Sequence, residues 1–431
     1  LQEVYKDSKK DFAEIYKICN TLNEKFYSFV LPSERSGWTV FNPHGYDWSG
    51  YICIDGRYYY AKDVPAKGYK HFLFNEEFYR KDLNLANNEL QNKFFYIKFN
   101  DKLQIISLFD KVNCRELISP DQVGNKMVAF EDAPLEYDAW ELRDWYKEKG
   151  YEIDTVKKIE VIAGGDVMGL KITKTYLNSE IIQIIRIYEK MPRIDFDTEI
   201  LWSESNTILK VFFPFDVNGD KAVCDIQFGN VERPTHANTS WEKAKFEVPA
   251  HKFVDLSEGN YGIAIMTDCK YGYSLEDSTI GISLLRSPTW PDKDADKGLH
   301  KFIYSIYPHR GNFYESDVVR MAYDLNMPLI ACKGAPQIIS TYSFCRCDDI
   351  NIILETVKLA EQDDGIVLRL YETQNKRTST ILHFSEKLGK VYKINCLEEG
   401  ETEMPFTDEK DFKLEVRPYE IITLKILTRN D

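Results

Sequence analysis

Ile194-Asp195-Phe196-Asp197-Thr198-Glu199-Ile200 is the stretch that decides the fold class. Apolar or β-branched residues alternate here with acids, so successive side chains go to opposite faces, as in a strand with one face in a core and one in water. A helix would instead repeat its apolar positions at three and four. Working outward, short runs of the same kind recur at 93–99, 103–109, 169–176, 181–188, 209–217, 222–228, 262–267, 280–285 and 301–307. Many are β-branched or aromatic and end at Gly, Asn, Asp or Pro. No long helical pattern separates them, which favours antiparallel sandwiches over βαβ units.

The first thirty residues differ. Phe12, Ile15, Cys19, Leu22, Phe26 and Phe29 step by three and four, so they share one helical face, and Pro32 and Ser33 stop the helix. Such a stripe must bury itself, either on the sheet that follows or on partner helices of a bundle. A composition break falls at 329–337. Beyond it, runs at 350–359, 365–371, 378–384, 390–395, 412–416 and 421–427 suit a small separate sandwich. The segments 124–145 and 229–258 have few strand signals, and long irregular loops on a β scaffold are where function concentrates.

A chain of 431 residues exceeds one ordinary core, and 43% hydrophobic content excludes disorder. The net charge is −14 and no basic cluster could track a phosphate backbone, so no nucleic-acid partner is expected. No apolar run is long enough for a membrane span, and no signal peptide is evident; the expected compartment is the cytoplasm. Nine scattered cysteines contain no CxxC pair, so buried free thiols are expected. Leu1 in place of Met marks the chain as a processed or excised piece.

Searches for chemistry return little. The seven histidines form no HxH or HExxH spacing, and there is no GxSxG, phosphate-binding loop or dinucleotide fingerprint. Two segments are dense in polar and aromatic groups. The first, FEDAPLEYDAWE (130–141), sets Asp138 beside Trp140, which suits a sugar: aromatic faces cover C–H faces and carboxylates accept hydroxyl bonds. The opposing reading is a loop whose aromatics plug the core. The second, 231–258, carries Arg233 and His236 and reads equally as a polar cleft or a domain seam.

These segments, with IQFGNVERPTHANTSWEKAKFEV (226–248), AHKFVDLSEGNYGIAIMTDCKYGYS (250–274), LLRSPTWPDKDADKGLHKFIYSIYPH (284–309) and RPYEIITLKI (417–426), resemble the C-terminal region of glycoside hydrolase family 38 α-mannosidases, most of all the cytosolic and bacterial subgroup. The resemblance runs in order along the whole chain. It implies a remnant helix of a three-helix bundle (1–31), a small β segment (32–74), a large galactose-mutarotase-like supersandwich (75–330) and a C-terminal sandwich (331–431). It implies no cofactor in this chain, zinc and the nucleophile belonging to a catalytic domain outside it. The implied partners are that domain and a mannose-containing oligosaccharide, with a homo-oligomer as a further option. By the resemblance Arg286 contacts the sugar, and Trp140 stands near a position where other members carry Tyr. Asp138, Arg233 and His236 complete the expected substrate-binding set. The alternatives are a self-sufficient saccharide-binding sandwich and a mutarotase-like enzyme that would need His236 or His251 facing Glu232 or Asp255.

Overall fold

A computed structural model describes residues 2–31, 33–74, 88–337 and 339–429. Pro32, the expected helix stop, and the expected domain boundary at 75 lie outside the described residues. The chain is mostly β, with antiparallel sheets and one long helix at its start, as the period-2 pattern predicts. It forms two compact units, Leu1–Cys19 with Phe78–Asp225 and Val231–Val318, and Asn20–Glu77 with Ile226–Asn230 and Val319–Asp431.

The helix α1 (Gln2–Val30) leaves its apolar stripe in the open: Phe12, Ile15, Leu22, Phe26 and Phe29 are all more than half exposed. Only its last turns meet a strand, where the Phe26 and Tyr27 rings lie 5.8 and 5.2 Å from that of Phe41.

The first unit holds fifteen strands in two main sheets. They are β1 (Lys126–Glu131), β2 (Gly150–Glu152), β3 (Thr155–Gly164), β4 (Val167–Tyr176), β5 (Ser179–Tyr188), β6 (Ile194–Trp202), β7 (Thr207–Pro214), β8 (Lys221–Ile226), β9 (Gly229–Pro234), β10 (Val248–Pro249), β11 (Phe253–Glu258), β12 (Tyr261–Thr267), β13 (Gly272–Glu276), β14 (Thr279–Arg286) and β15 (Gly298–Arg310). The six-stranded sheet runs β2-β1-β7-β14-β13-β10 and the nine-stranded one β3-β4-β5-β6-β15-β12-β11-β8-β9. Both turn apolar faces into one core. Phe196 of β6 meets Phe213 of β7 with ring centroids 5.6 Å apart, and Ile185, Ile282 and Ile306 are fully buried around them. Each such side chain removed from water contributes roughly 1.5–3 kcal/mol. At the centre, Tyr304 donates to Asn125 at 2.8 Å and Gln183 donates to Tyr304 at 2.7 Å and Thr198 at 3.0 Å, so the polar groups enclosed there are paired.

The opening stretch holds its expected inward set, Ile194, Phe196, Thr198 and Ile200, but Asp195 does not face water. It is buried, because Arg193 Nε (2.8 Å), Tyr188 Oη (2.5 Å) and Ser305 Oγ (2.7 Å) all donate to it. Two strands also lie inside segments read as irregular, β1 and β11. In β11 the acid Asp255 occupies a buried position and hides the alternation. His309 Nε2 lies 2.7 Å from its carboxylate, and Ser257 donates to the other oxygen.

In the second unit, Ser33–Asn42 pairs with Ile330–Ala335 on one side and with Gly68–Phe72 on the other. The six expected C-terminal strands are present, in sheets of three and five strands that enclose Leu368, Leu382, Leu414 and Ile422. All nine cysteines are free, but among them only Cys224, Cys345 and Cys347 are buried; five are exposed, which corrects the expectation of buried thiols.

The Asp255–His309 pair gives two expected outcomes. Gly262 lies opposite His309, and a Cβ there would come within 2.4 Å of the His309 ring and of Ser257 Oγ. Gly262→Ala therefore costs about 1–3 kcal/mol in urea unfolding. Burial alone would lower the His309 pKa, but the charge and hydrogen bond of Asp255, with the Arg310 carbonyl and Asp317, outweigh it and raise it. A raised histidine contributes stability fully below its unfolded value of 6.5 and loses it as pH rises through the folded value. Unfolding free energy should decline on that side of neutrality in the native chain and not in His309→Gln; equal slopes would contradict the assignment.

Candidate functional site

Three neighbouring strands of the six-stranded sheet end together. Pairing of β7 with β1 sets Thr207 against Glu131 and Ile208 against Phe130, while pairing with β14 sets Ile208 against Arg286. The β7–β14 register shifts between Leu209 and Lys210, and Leu284 and Leu285 are both buried. Such a bulge turns the strand and re-aims the next side chain. Pairing continues past the strand ends: Asp132 N donates to Asn206 O (2.8 Å), Asn206 N to Ser287 O (2.7 Å) and Ser287 N to Thr207 O (3.0 Å). The Trp202 indole at the end of β6 adds a bond to Ser287 Oγ at 2.6 Å.

On this platform Arg286 Nε donates to Asp132 Oδ2 at 2.6 Å, and its Nη2 donates to the Glu141 carbonyl. Asp132 is nearly fully buried and the Arg286 side chain is 22% exposed, so the pair is shielded while the guanidinium still reaches solvent. A guanidinium has more N–H donors than these two bonds use. Asp138 accepts from Thr289 N (2.6 Å), Thr289 Oγ1 (3.0 Å) and Trp290 N (3.1 Å), tying the 130–141 segment to the loop after β14. Burial alone would raise the Asp138 carboxyl; the donations from Thr289 and Trp290 and the Arg286 charge outweigh it and hold it below its usual range.

Over this frame stand three aromatic rings. Trp140 and Trp290 have centroids 5.4 Å apart, Tyr137 lies 5.8 Å from Trp290, and all three are more than half exposed. Tyr137 has φ +56°, a region that bulky residues rarely occupy and that collects at functional sites. A cavity of about 530 Å³ opens beside them, lined by 133–138, Asn206, Thr289 and Trp290.

The structure thus brings Arg286, Asp138 and Trp140 into one cluster. Sequence reading missed Asp132, although it quoted the segment, and Trp290. The signal for Trp290 was its place in the SPTWPD run after Arg286. Arg233 and His236 fall elsewhere. They line a second cavity of about 650 Å³, with β13, the short helix α2 (Ser240–Lys243) and the turn Asp144–Glu148 contributing its other walls. Behind it the fully buried Lys210 contacts Glu247, which also accepts from Tyr146 Oη at 2.7 Å. Burial lowers the Lys210 pKa and Glu247 opposes it. The arrangement required of a mutarotase-like enzyme is absent among the described residues: Asp255 is enclosed with His309, and Glu232 is held by Lys221 and Tyr314. No group of three or more His, Cys, Asp or Glu among the described residues could hold a metal ion.

Residues 90–294 match the glycosyl hydrolases family 38 C-terminal domain, and residues 351–424 match that family's C-terminal β-sandwich domain. Alpha-mannosidase 2C1 of Homo sapiens is 36% identical over 348 residues, which cover 78% of this chain and 33% of the relative. Alpha-mannosidase G of Dictyostelium discoideum is 36% identical over 361 residues, covering 79% and 32%. The chain spans about a third of the length of these curated relatives. An α-mannosidase of Enterococcus faecalis V583 shares the fold, with a TM-score of 0.69 at 17% identity over 91% of this chain and 51% of that one.

Asp138→Ala should cost about 2 kcal/mol at neutral pH, the worth of hydrogen bonds to a buried charge, and change tryptophan fluorescence as Trp290 loses its anchor. The sign follows from its depressed pKa: the contribution is present above the unfolded value of 3.8 and is lost as pH falls through the folded value. The variant and native urea midpoints should therefore converge in acid; a gap of unchanged size there would contradict this role.

Proposed function

The chain belongs to glycosyl hydrolase family 38 as part of that family's C-terminal region, and from that premise we propose that it completes the substrate site of an α-mannosidase and supports a catalytic domain outside these 431 residues. The observation that carries this is the Arg286–Asp132 pair at the ends of β14 and β1. It keeps a guanidinium rigid and partly exposed, with N–H donors left for sugar hydroxyls, beside the exposed rings of Trp140, Trp290 and Tyr137, whose faces suit the C–H faces of a pyranose. Asp138, with both oxygens engaged, acts as a positioning residue that holds the Trp290 loop.

The reaction is retaining hydrolysis of terminal α-D-mannose residues, which needs two carboxyl groups about 5–5.5 Å apart. In this reading those groups and the zinc sit in the catalytic domain, since the described residues of this chain offer no set that fits the metal. The nine free thiols suit a reducing cytoplasm, and no helix is long and apolar enough to cross a membrane. The alternative, a sandwich that binds saccharide by itself, is favoured by the separate cavity around Arg233 and His236.

Two measurements check the proposal. The purified 431-residue chain should release no nitrophenol from p-nitrophenyl α-D-mannoside; turnover would overturn the division of labour. In the complete enzyme, Arg286→Ala should lower kcat/KM about 10–100-fold, the loss of one or two charge-assisted hydrogen bonds, with the thermal midpoint nearly unchanged. Unchanged kinetics would remove Arg286 from the site.

A further inference from the structure

The second cavity contains an unpaid polar balance. Arg233 Nε and His236 Nδ1 both line it, both are buried at the atom, and neither has a hydrogen-bond partner. His236 Nδ1 stands 3.6 Å from Glu242 Oε2, beyond hydrogen-bond range. Glu242 comes no closer because its carboxylate accepts from Thr239 N at 2.9 Å, completing the capping box of α2. Each buried polar atom left unpaired costs roughly 1–3 kcal/mol, so two in one cavity imply an occupant that bonds to them.

The remaining walls specify the chemistry of that occupant. Glu232 is taken by Lys221 (3.1 Å) and Tyr314 (2.9 Å), and Glu276 by Lys147. Lys243, Lys245, Asp144 and Asp277 also line the cavity, and none of the four is in an ion pair among the described residues. The walls therefore offer donors and acceptors together. A compact oxyanion would satisfy Arg233 and the lysines but face Asp144 and Asp277 uncompensated. A polyol satisfies both, since each hydroxyl accepts from a cation and donates to a carboxylate. Phe246 and Leu275, both half-buried, add apolar surface for a C–H face. A volume of about 650 Å³ lies within the 300–1,000 Å³ usual for small-ligand sites.

We propose that this cavity is a second saccharide-binding site, distinct from the Arg286–Trp140 cluster, in which Arg233 and His236 bond ring hydroxyls and Asp277 accepts from them. The site needs no catalytic domain, so the test uses the 431-residue chain, and its result is separate from that of the Arg286 assignment. Titration calorimetry is run with methyl α-D-mannopyranoside, methyl β-D-galactopyranoside and inorganic phosphate, and the His236 ring proton signals are followed by NMR. Binding of at least one glycoside, a shift of the His236 signals, and at least tenfold weaker affinity in Arg233→Gln and Asp277→Asn are expected. No binding of either glycoside, binding of phosphate alone, or unchanged affinity in both variants overturns the proposal. Should a variant fail to fold, the His236 shift in the native chain decides.

Discussion

The register of β7 between β1 and β14 is the constraint on which the site depends. Because Ile208 sits against Phe130 on one side and Arg286 on the other, two chain positions separated by 154 residues finish abreast, and Asp132 meets Arg286. Strand side chains repeat every second residue, so a slip of one position would send Arg286 to the other face of the sheet and part it from Asp132. What holds the register is the core. Val211 and Phe213 of β7 are fully buried between the sheets, and Trp202 reaches from the nine-stranded sheet to Ser287. The aromatic cluster is then secured to this platform by Asp138.

The same logic explains the enclosed charges. Asp195 with Arg193, Asp255 with His309 and Lys210 with Glu247 are each removed from water, and each member has a partner. Such pairs add little net stability, because desolvation offsets attraction, but losing one partner leaves an uncompensated charge. They act against alternative registers: a slip would strand Asp255 or Lys210 in the core alone. Gly262 serves the same end by leaving room for His309.

Much of this was legible in the sequence. Period 2 marks β6 and most strands to within a few residues, because apolar faces toward a core need alternation. It fails where function or charge intrudes. Asp255 and Lys210 are polar residues at core positions, and only their partners, distant in sequence, make those positions tenable. The pairing of Ser33–Asn42 with Ile330–Ala335 leaves no local trace either, since it joins segments nearly three hundred residues apart. For the site, residue types near Arg286 and Trp140 were suggestive, but the grouping of Arg286 with Asp132, and the separation of Arg233 and His236 from them, are properties of register.

The most direct test of this account is a double-mutant cycle on Asp132→Ala and Arg286→Ala, read by urea unfolding of the 431-residue chain. If the strand register holds the two side chains in one shielded, hydrogen-bonded pair, their coupling energy should be about 1.5 kcal/mol or more. Additive effects, with coupling within about 0.5 kcal/mol of zero, would mean that Asp132 does not position Arg286 and would contradict the account.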